Sequence, residues 1–460
     1  MASRGSSAAR REPPRREPQR RPAQQRRKPV QSKSQRRPPR QQSVVIPFTA
    51  PQPRPKQRRR SISREEAQRR QELRLRQQAL EAEGKELAKG PVDLPFCLLV
   101  LLLMSIGLVM LLSASFPSAY YDDSTKNNPA YYFIRQGVFA VMGVAAMLFI
   151  GKINYRRFRG VAKSLLYVSI FMLVLVIIPH NPIAHTVKGA TRWLGVGDLF
   201  SFQPSEIAKM AIIIYFSDSI SKKKDLMRSF RYGILPYAAV LVATAGLVAI
   251  EPHLSGAILI LGVGAALMLV GGINWGWVLG ALGAAGSLLY FALFIVGYNT
   301  SRIQYWLNPW ADMQDKGYQL SQSLITIGSG GLLGVGLGKS RQKFRFLPEE
   351  HNDFIFAIIC EELGLIGASI IMLLFAALIL RGYWIALHSR DRFGSLLVIG
   401  VTTLIAMQTF LNIGVVTGLL PTTGISLPFF SYGGTALSIQ LAEMGVVLSV
   451  SRQMKPTKAG

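Results

Sequence analysis

Cysteine and histidine are scarce in this chain. Its 460 residues include 2 cysteines and 5 histidines. Cys97 and Cys360 both lie within apolar runs, so the sequence predicts buried packing positions rather than a disulfide framework. His253 and His351 are isolated and do not have the spacing of metal ligands, so each is interpreted as a polar contact. Zinc-binding and redox motifs are therefore excluded.

Charged residues are also few, at 17%, against 49% hydrophobic residues that come in long unbroken runs. An apolar run of about 20 residues crosses the hydrocarbon core as a helix, so the sequence predicts an all-α polytopic membrane protein with roughly ten transmembrane helices. The predicted spans lie near residues 94–115, 133–150, 162–179, 206–220, 233–250, 253–272, 274–297, 354–380, 394–419 and 429–450.

The chain has 25 acidic residues against 53 Lys and Arg, and most of the net charge of +28 precedes residue 91. Residues 1–60 are rich in Pro, Arg and Gln, cannot bury a core, and are predicted to form a disordered cytoplasmic tail. Ser63 and Glu66 resemble a capping box that opens a charged juxtamembrane helix over residues 61–90. Because the tail is tethered beside a bilayer, anionic lipid or a cytoplasmic protein is favoured over nucleic acid as its partner.

The positions of Lys and Arg predict the topology. No cleavable signal peptide is predicted, so the first span serves as the membrane signal. Starting from a cytoplasmic tail, the connections expected inside carry most of the cations: Lys152, Arg156, Arg157, Arg159, Lys222, Lys223, Lys224, Arg228, Arg231, Arg381, Arg390 and Arg392. The membrane domain is thus predicted over residues 91–452, with a short cytoplasmic tail at 453–460 and a large extracytoplasmic loop, 298–353, between helices 7 and 8.

This long loop holds the polar residues that could do chemistry. Asp312 follows the turn signal Asn308-Pro309-Trp310, where an aspartate is either an ordinary turn cap or a working carboxylate. Three residues separate Gly334 from the Gly338-Lys339-Ser340 triplet, whereas a phosphate loop needs about four residues between its first glycine and this triplet. The glycines of the run from Gly334 to Ser340 are instead predicted to permit tight turns and close backbone approach.

Ionisable residues inside membrane helices tend to be functional. Glu206 and Lys209 stand three residues apart on one helix face, where they form either a structural ion pair or part of a functional polar path. Glu251 is a further such residue. Of Glu361 and Glu362, at least one is predicted to face the bundle interior or a water-filled cavity.

Several ordered motifs resemble the SEDS family of bacterial cell-wall polymerases over about residues 92–452. The Asn-Pro-Trp-x-Asp and Leu-Pro-Phe-Phe forms favour the division and sporulation branches of the family over its elongation branch. The matching stretches are Arg192-Trp193, Phe202-Gln-Pro-Ser-Glu-Ile-Ala-Lys209, Glu251-Pro252, Asn308-Pro-Trp-Ala-Asp312, Gly317-Tyr-Gln-Leu-Ser-Gln-Ser323, Ile327-Gly-Ser-Gly-Gly331, Leu347-Pro-Glu-Glu-His-Asn-Asp-Phe-Ile-Phe356, Glu361-Glu-Leu-Gly364 and Leu427-Pro-Phe-Phe-Ser-Tyr-Gly-Gly434.

The resemblance implies a peptidoglycan glycosyltransferase that joins lipid II units at the outer face of the bacterial cytoplasmic membrane, with a class B penicillin-binding protein as transpeptidase partner and other division proteins nearby. It implies that Asp312 is the essential carboxylate. His253 and Asn352 depart from the residues usual in the family. Because undecaprenyl diphosphate leaves as a stabilised anion, no protonating acid is needed, and a single general base suffices for inversion to a β-1,4 product.

The substrate is expected to contact residues drawn from these motifs and from the loop. A divalent cation, Mg²⁺ or Mn²⁺, could share the task of holding diphosphate, for which the candidate residues are Arg192, Lys339, Arg341, Lys343 and Arg345. A lipid II flippase and a division scaffold that acts through the basic tail remain alternatives, as do elongation and sporulation roles. The predicted substrate-binding residues are Arg192, Glu206, Lys209, Gln319, Ser323, Lys339, Lys343, Glu349, His351, Asp353, Glu361 and Ser431.

Overall fold

The fold is taken from a computed structural model, which describes residues 90–178, 181, 183–187, 190–196, 200–251, 253–280, 283 and 300–454. The predicted basic tail, the juxtamembrane helix except residue 90, most of the predicted span 274–297 and residues 455–460 lie outside this part of the chain.

The described chain is mainly helical. Seven of its helices are long and apolar enough to cross a membrane, and these end at Tyr120, Lys152, Ile177, Ile250, Leu387, Val416 and Ser451; a shorter apolar helix ends at Val270. A polytopic membrane protein is thereby confirmed, while the number ten stays a prediction. The helices are α1 (Leu94–Tyr120), α2 (Tyr131–Lys152), α3 (Phe158–Ile177), α4 (Pro204–Lys222), α5 (Leu235–Ile250), α6 (Leu254–Val270), α7 (Thr300–Leu307), α8 (Tyr318–Gly330), α9 (Ile355–Leu387), α10 (Arg392–Val416) and α11 (Gly434–Ser451).

Helix α4 corresponds to the predicted span 206–220 but is not among the seven. It carries Glu206, Lys209 and Asp218, and all three side chains are buried. The helix packs between α3, α6 and α10, so its polar groups face protein. Buried ionisable groups of this kind survive when they are paired.

The predicted all-α class is wrong in one respect, because residues 184–202 contain a small antiparallel sheet in the order β1-β2-β3. Its strands are β1 (Ala184–Val187), β2 (Ala190–Val196) and β3 (Phe200–Phe202), and Leu194 pairs with both Ala184 and Phe202. β-Branched and aromatic residues such as Thr191, Trp193 and Val196 favour extended backbone in a segment that is too short and polar to span.

Side-chain caps hold one end of the bundle. Asp93 accepts from the Phe96 amide at 3.0 Å to begin α1, and its carboxylate pairs with Arg381 of α9 at 2.8 Å. Asp391 caps α10 in the same way and accepts from Tyr155 at 2.9 Å. An acidic N-cap satisfies free helix amides and favours the helix dipole. The opposite end, where the sheet lies, is called the sheet end.

Helix α9 is interrupted where Gly364 adopts φ 67° and ψ −172°. At the break the Val335 and Gly336 amides donate to the carbonyls of Glu361 and Glu362 at 2.9 and 3.0 Å. A Cβ at Gly334 would lie 2.2 Å from the Glu362 carbonyl oxygen, so only glycine fits there. The close backbone approach predicted for this glycine run is confirmed.

Candidate active site

Two adjoining cavities open at the sheet end of the bundle. The sheet-side cavity has a volume of about 580 Å³ and the α7 cavity about 430 Å³. Both are lined by Arg192, His253, Ser255, Asp353 and Gly424. The sheet-side cavity also includes Arg135, Gln203, Glu206, Lys209, Glu349 and Tyr432, and the α7 cavity includes Tyr305, Trp306, Lys316 and Gln319.

Arg192 stands on β2 where the two cavities meet, and its Nε donates to the Glu251 carbonyl oxygen at 3.1 Å. Burial lowers the pKa of Arg192, while the charges of Asp353 and Glu251 act in the opposite direction. Guanidinium groups stay ionised in proteins. The shared wall therefore presents a cation from the sheet beside a carboxylate from the start of α9.

The connection between α5 and α6 adds two groups with strongly shifted pKa values. Neither carboxylate oxygen of Glu251 has a hydrogen-bond partner among the described residues, and burial raises its pKa to about 8. His253 Nδ1 lies 2.9 Å from Nε2 of Gln203. Burial, together with Arg192 and Lys209, lowers the pKa of His253 to about 3, so its imidazole is neutral at physiological pH.

The polar contact predicted for His253 is confirmed, but its place in both cavity walls was not predicted. The one available signal was its departure from the family motif after Glu251. A substitution beside an acid that is poor in charged neighbours changes the local proton chemistry, and this signal could have placed His253 with the site.

The predicted pair of Glu206 and Lys209 is confirmed, with Lys209 Nζ 2.8 Å from Glu206 Oε1. Both residues also line the sheet-side cavity. The ion pair is therefore both a structural neutralisation and a polar wall that a bound molecule can reach.

Asp312 ends the short helical turn Pro309–Asp312 between α7 and α8. Its carboxylate accepts from the backbone amides of Gln314, Asp315 and Lys316 at 3.4, 3.1 and 3.4 Å. The side chain is half-buried, and Asp312 does not line either cavity, whereas Lys316 lines the α7 cavity. Asp312 therefore acts as a turn cap bonded to the backbone of Lys316 in the wall of the α7 cavity, a position that is called the rim of this cavity.

Of the other predicted substrate-binding residues, Gln319 and Asp353 line the α7 cavity, and Glu349 and Asp353 line the sheet-side cavity. His351 instead contacts Glu350, with Nδ1 3.5 Å from Oε1, and its ring centroid lies 4.7 Å from that of Tyr132. Lys339 is exposed outside both cavities.

The remaining predicted contacts are buried in the protein and do not line these cavities. Ser323 donates to the Val416 carbonyl and Ser431 to the Asn352 carbonyl, both at 2.7 Å. Lys343 pairs with Glu362 at 2.9 Å, and Glu361 accepts from Ser340 and from the Arg341 amide. Substrate binding by these four predicted residues stays a prediction.

A protein-built metal centre is not found among the described residues, because no three or more His, Cys, Asp or Glu side chains are grouped as metal ligands. Divalent ions held by proteins alone need several such ligands.

Comparison with known proteins supplies the family. The family model described as "Cell cycle protein", for FtsW, RodA and SpoVE, matches residues 94–456. The chain belongs to this family. It is 40% identical over 366 residues to "Probable peptidoglycan glycosyltransferase FtsW" of Geobacter metallireducens, covering 79% of this chain and 96% of that protein. It is 42% identical to "Stage V sporulation protein E" of Bacillus subtilis, covering 79% and 98%.

Solved structures of the FtsW/RodA/SpoVE family share the fold. A chain in a peptidoglycan synthase complex, titled for its coordination of polymerization and crosslinking, aligns with a TM-score of 0.66 at 26% identity, covering 79% of this chain and 98% of that one. RodA of Thermus thermophilus aligns with a TM-score of 0.58 at 26% identity, covering 80% and 99%. The predicted enzyme class, glycosyltransferase, is confirmed by the named relatives.

Proposed function

We propose that this chain polymerises lipid II into β-1,4 glycan strands at the outer face of the cytoplasmic membrane, for septal wall synthesis during division. The observation that carries the proposal is the meeting of two polar cavities at Arg192 and Asp353, with Asp312 at the rim of one of them. A polymerase must hold a donor and an acceptor at once, and two adjoining cavities suit that task.

Asp312 serves as general base in this proposal. A carboxylate has about four acceptor positions. Backbone amides occupy two positions on Oδ1 and one on Oδ2, so a position on Oδ2 is left for a sugar hydroxyl. The backbone amides of the capped turn fix the orientation of the Asp312 carboxylate. The same contacts therefore serve both the turn cap and the general base. General-base catalysis is usually worth about 10²- to 10⁴-fold in rate.

The Asp312 carboxylate takes the proton of the acceptor 4-hydroxyl while that oxygen attacks C1 of the donor sugar. The bond from C1 to the diphosphate oxygen breaks, and undecaprenyl diphosphate leaves with the electron pair. Arg192 and Lys316, the cations of the α7 cavity, are suited to neutralise this diphosphate.

The expected partner is a transpeptidase of the class B penicillin-binding type, supported by the structural match to a chain from a synthase complex. We further propose that both termini are cytoplasmic, as the loop charges predict. The loop that carries Asp312 then faces the wall side, where lipid-linked precursors are joined.

The test is to incubate the purified full-length chain with lipid II, with and without a class B transpeptidase, and to resolve the products on a gel. Glycan strands from the wild type and none from Asp312→Ala, at equal lipid II binding, are expected. Strands of normal length from Asp312→Ala would remove Asp312 from the reaction. Transport of lipid II between leaflets with no strands formed would favour a flippase.

A further inference from the structure

The segment that follows α8, residues 331–346, is bonded to α9 along its backbone. Besides the two bonds from Val335 and Gly336, the Leu365 and Ile366 amides donate to the carbonyls of Gly331 and Leu332 at 2.9 and 3.2 Å. The unpaired backbone groups of the interrupted helix are satisfied by this segment. Such groups must find partners when water is absent.

Buried side chains hold the far part of the segment against the same turn of α9. Lys343 Nζ pairs with Glu362 at 2.9 Å and donates to Ser113 of α1 at 3.1 Å. The Arg341 amide donates to Glu361 at 3.1 Å. The depth of the segment along α9 is therefore fixed.

That depth can be counted along the helix. α9 has 33 residues, about 50 Å at 1.5 Å per residue, which exceeds the roughly 30 Å of the hydrocarbon core. Arg381, paired with Asp93 at the start of α1, lies in the last two turns of α9, toward the end away from the sheet. A span of about 20 residues counted back from Arg381 reaches Glu361, so Leu365 and Ile366 lie just inside the apolar layer.

The side of the segment that points away from the protein is apolar. Leu332, Leu333 and Leu337 are 67%, 79% and 54% exposed, and Phe344 and Phe346 are exposed as well. Their neighbours on α9, across the backbone bonds, include the exposed Leu365 and Ile366. These exposed side chains form an apolar patch that is continuous with the outer surface of a membrane-spanning helix. Such a patch requires an apolar environment.

The same segment also carries exposed cations. Lys339, Arg341 and Arg345 are exposed, and Arg345 donates to the Tyr121 carbonyl at 2.8 Å just beyond the end of α1. Long basic side chains extend from apolar surroundings toward phosphate and water at a membrane interface. Lipid phosphates would supply these exposed cations with an anionic partner.

We propose that residues 331–346 form a re-entrant segment inserted in the leaflet at the sheet end, covered by lipid acyl chains and bordered by lipid headgroup phosphates. This surface is additional to the proposed polymerase site. α8 joins it directly to the Asp312 turn and contributes Gln319 and Leu320 to the α7 cavity. Lipid contact would therefore keep the rim of that cavity at the membrane surface.

Site-directed spin labelling of the full-length chain in liposomes that contain phosphatidylglycerol tests the proposal. The native Cys97 and Cys360 are buried, so a bulky label reacts at an introduced exposed cysteine. Labels at Leu333→Cys and Leu337→Cys are compared with Leu373→Cys, exposed on α9, and with Asp315→Cys, exposed in the Asp312 turn. Oxygen concentrates in the bilayer, whereas a nickel chelate remains in water.

Labels at 333 and 337 are expected to show a ratio of oxygen to nickel collision rates well above that of the label at 315 and below that of the label at 373, which lies deeper along α9. A ratio equal to that at 315 would place the segment in water and overturn the proposal. Protection from both reagents would show that a protein covers it, which also overturns lipid as the occupant. Quenching of a fluorophore at 333 by brominated acyl chains provides an independent readout from the same variant.

Discussion

The Nζ of Lys343 lies 2.9 Å from Oε1 of Glu362, and both side chains are buried. The ammonium also donates to the Gly338 carbonyl at 2.8 Å, and Glu362 accepts from Ser113 of α1 at 2.7 Å. This pair joins α1, α9 and the re-entrant segment. A buried charge that loses its partner is left uncompensated in a low dielectric.

Lys343→Met is accordingly expected to destabilise the protein by about 3–5 kcal/mol, because Glu362 stays buried without its cation. Lys339→Met, an exposed change in the same segment, should stay within about 0.5 kcal/mol. Thermal unfolding in detergent measures both. Equal melting temperatures for the two variants would show that Lys343 is not held in this pair.

The Glu206–Lys209 pair allows a double-mutant cycle. Lys209→Met and Glu206→Gln are each expected to lower the free energy of unfolding, measured by thermal unfolding in detergent, by about 3–5 kcal/mol. Each substitution leaves one buried group without its partner. The double variant should lose less stability than the two single variants lose in sum. Additive losses would mean that the residues act independently. Polymerase activity measured on the same proteins shows whether the cavity wall also needs their charges.

Much of the fold follows from local sequence, and the exceptions depend on distant contacts. The long apolar runs of α1, α9 and α10 predicted their helices, and α4 was predicted despite its charges. The sheet was missed because strands of 3 to 7 residues give little periodic signal. The break at Gly364 depends on pairing with residues about 30 positions away, which periodicity in a short window does not detect.

The site shows the same division. The family motifs selected Arg192, Asp353 and Gln319, and the structure brings these together at the α7 cavity. Ser323 and Ser431 lie in equally good motifs but are engaged with backbone carbonyls. A motif identifies important positions, but only the fold separates those that line a cavity from those that hold it.

The pKa of Glu251, raised to about 8 by burial, predicts how stability changes with pH. Between its ordinary value of 4.5 and about 8, the folded protein holds a proton that the unfolded chain has released. The stability present below pH 4.5 is therefore lost as the pH rises toward 8. One pH unit corresponds to about 1.4 kcal/mol, so the total is on the order of a few kcal/mol.

Glu251→Gln, which is neutral at every pH, should flatten the fall in melting temperature between pH 5 and 8 and stabilise the protein at the upper end. Asp315→Asn changes an exposed carboxylate and serves as the control, with the wild-type slope retained. An unchanged slope in Glu251→Gln would show that this carboxyl is ionised in the folded protein.

The two roles of Asp312 can be separated by choosing the replacement. Asparagine keeps an oxygen that can accept from the Asp315 amide, now 3.1 Å from Oδ1, but it cannot take a proton from a sugar hydroxyl. Asp312→Asn is thus expected to lower polymerisation by about 10²- to 10⁴-fold at an unchanged melting temperature. Asp312→Ala removes the cap as well, so its free energy of unfolding should fall by about 1 kcal/mol and its melting temperature should fall too.

Asp315→Asn is the matched control in the same turn and should polymerise normally. Gel analysis of strands formed at several pH values distinguishes the possibilities. If Asp312→Asn polymerises at the wild-type rate while Asp312→Ala does not, the carboxylate serves the turn alone and the base lies elsewhere. If both are inactive and only Asp312→Ala is destabilised, a proton-accepting Asp312 is required.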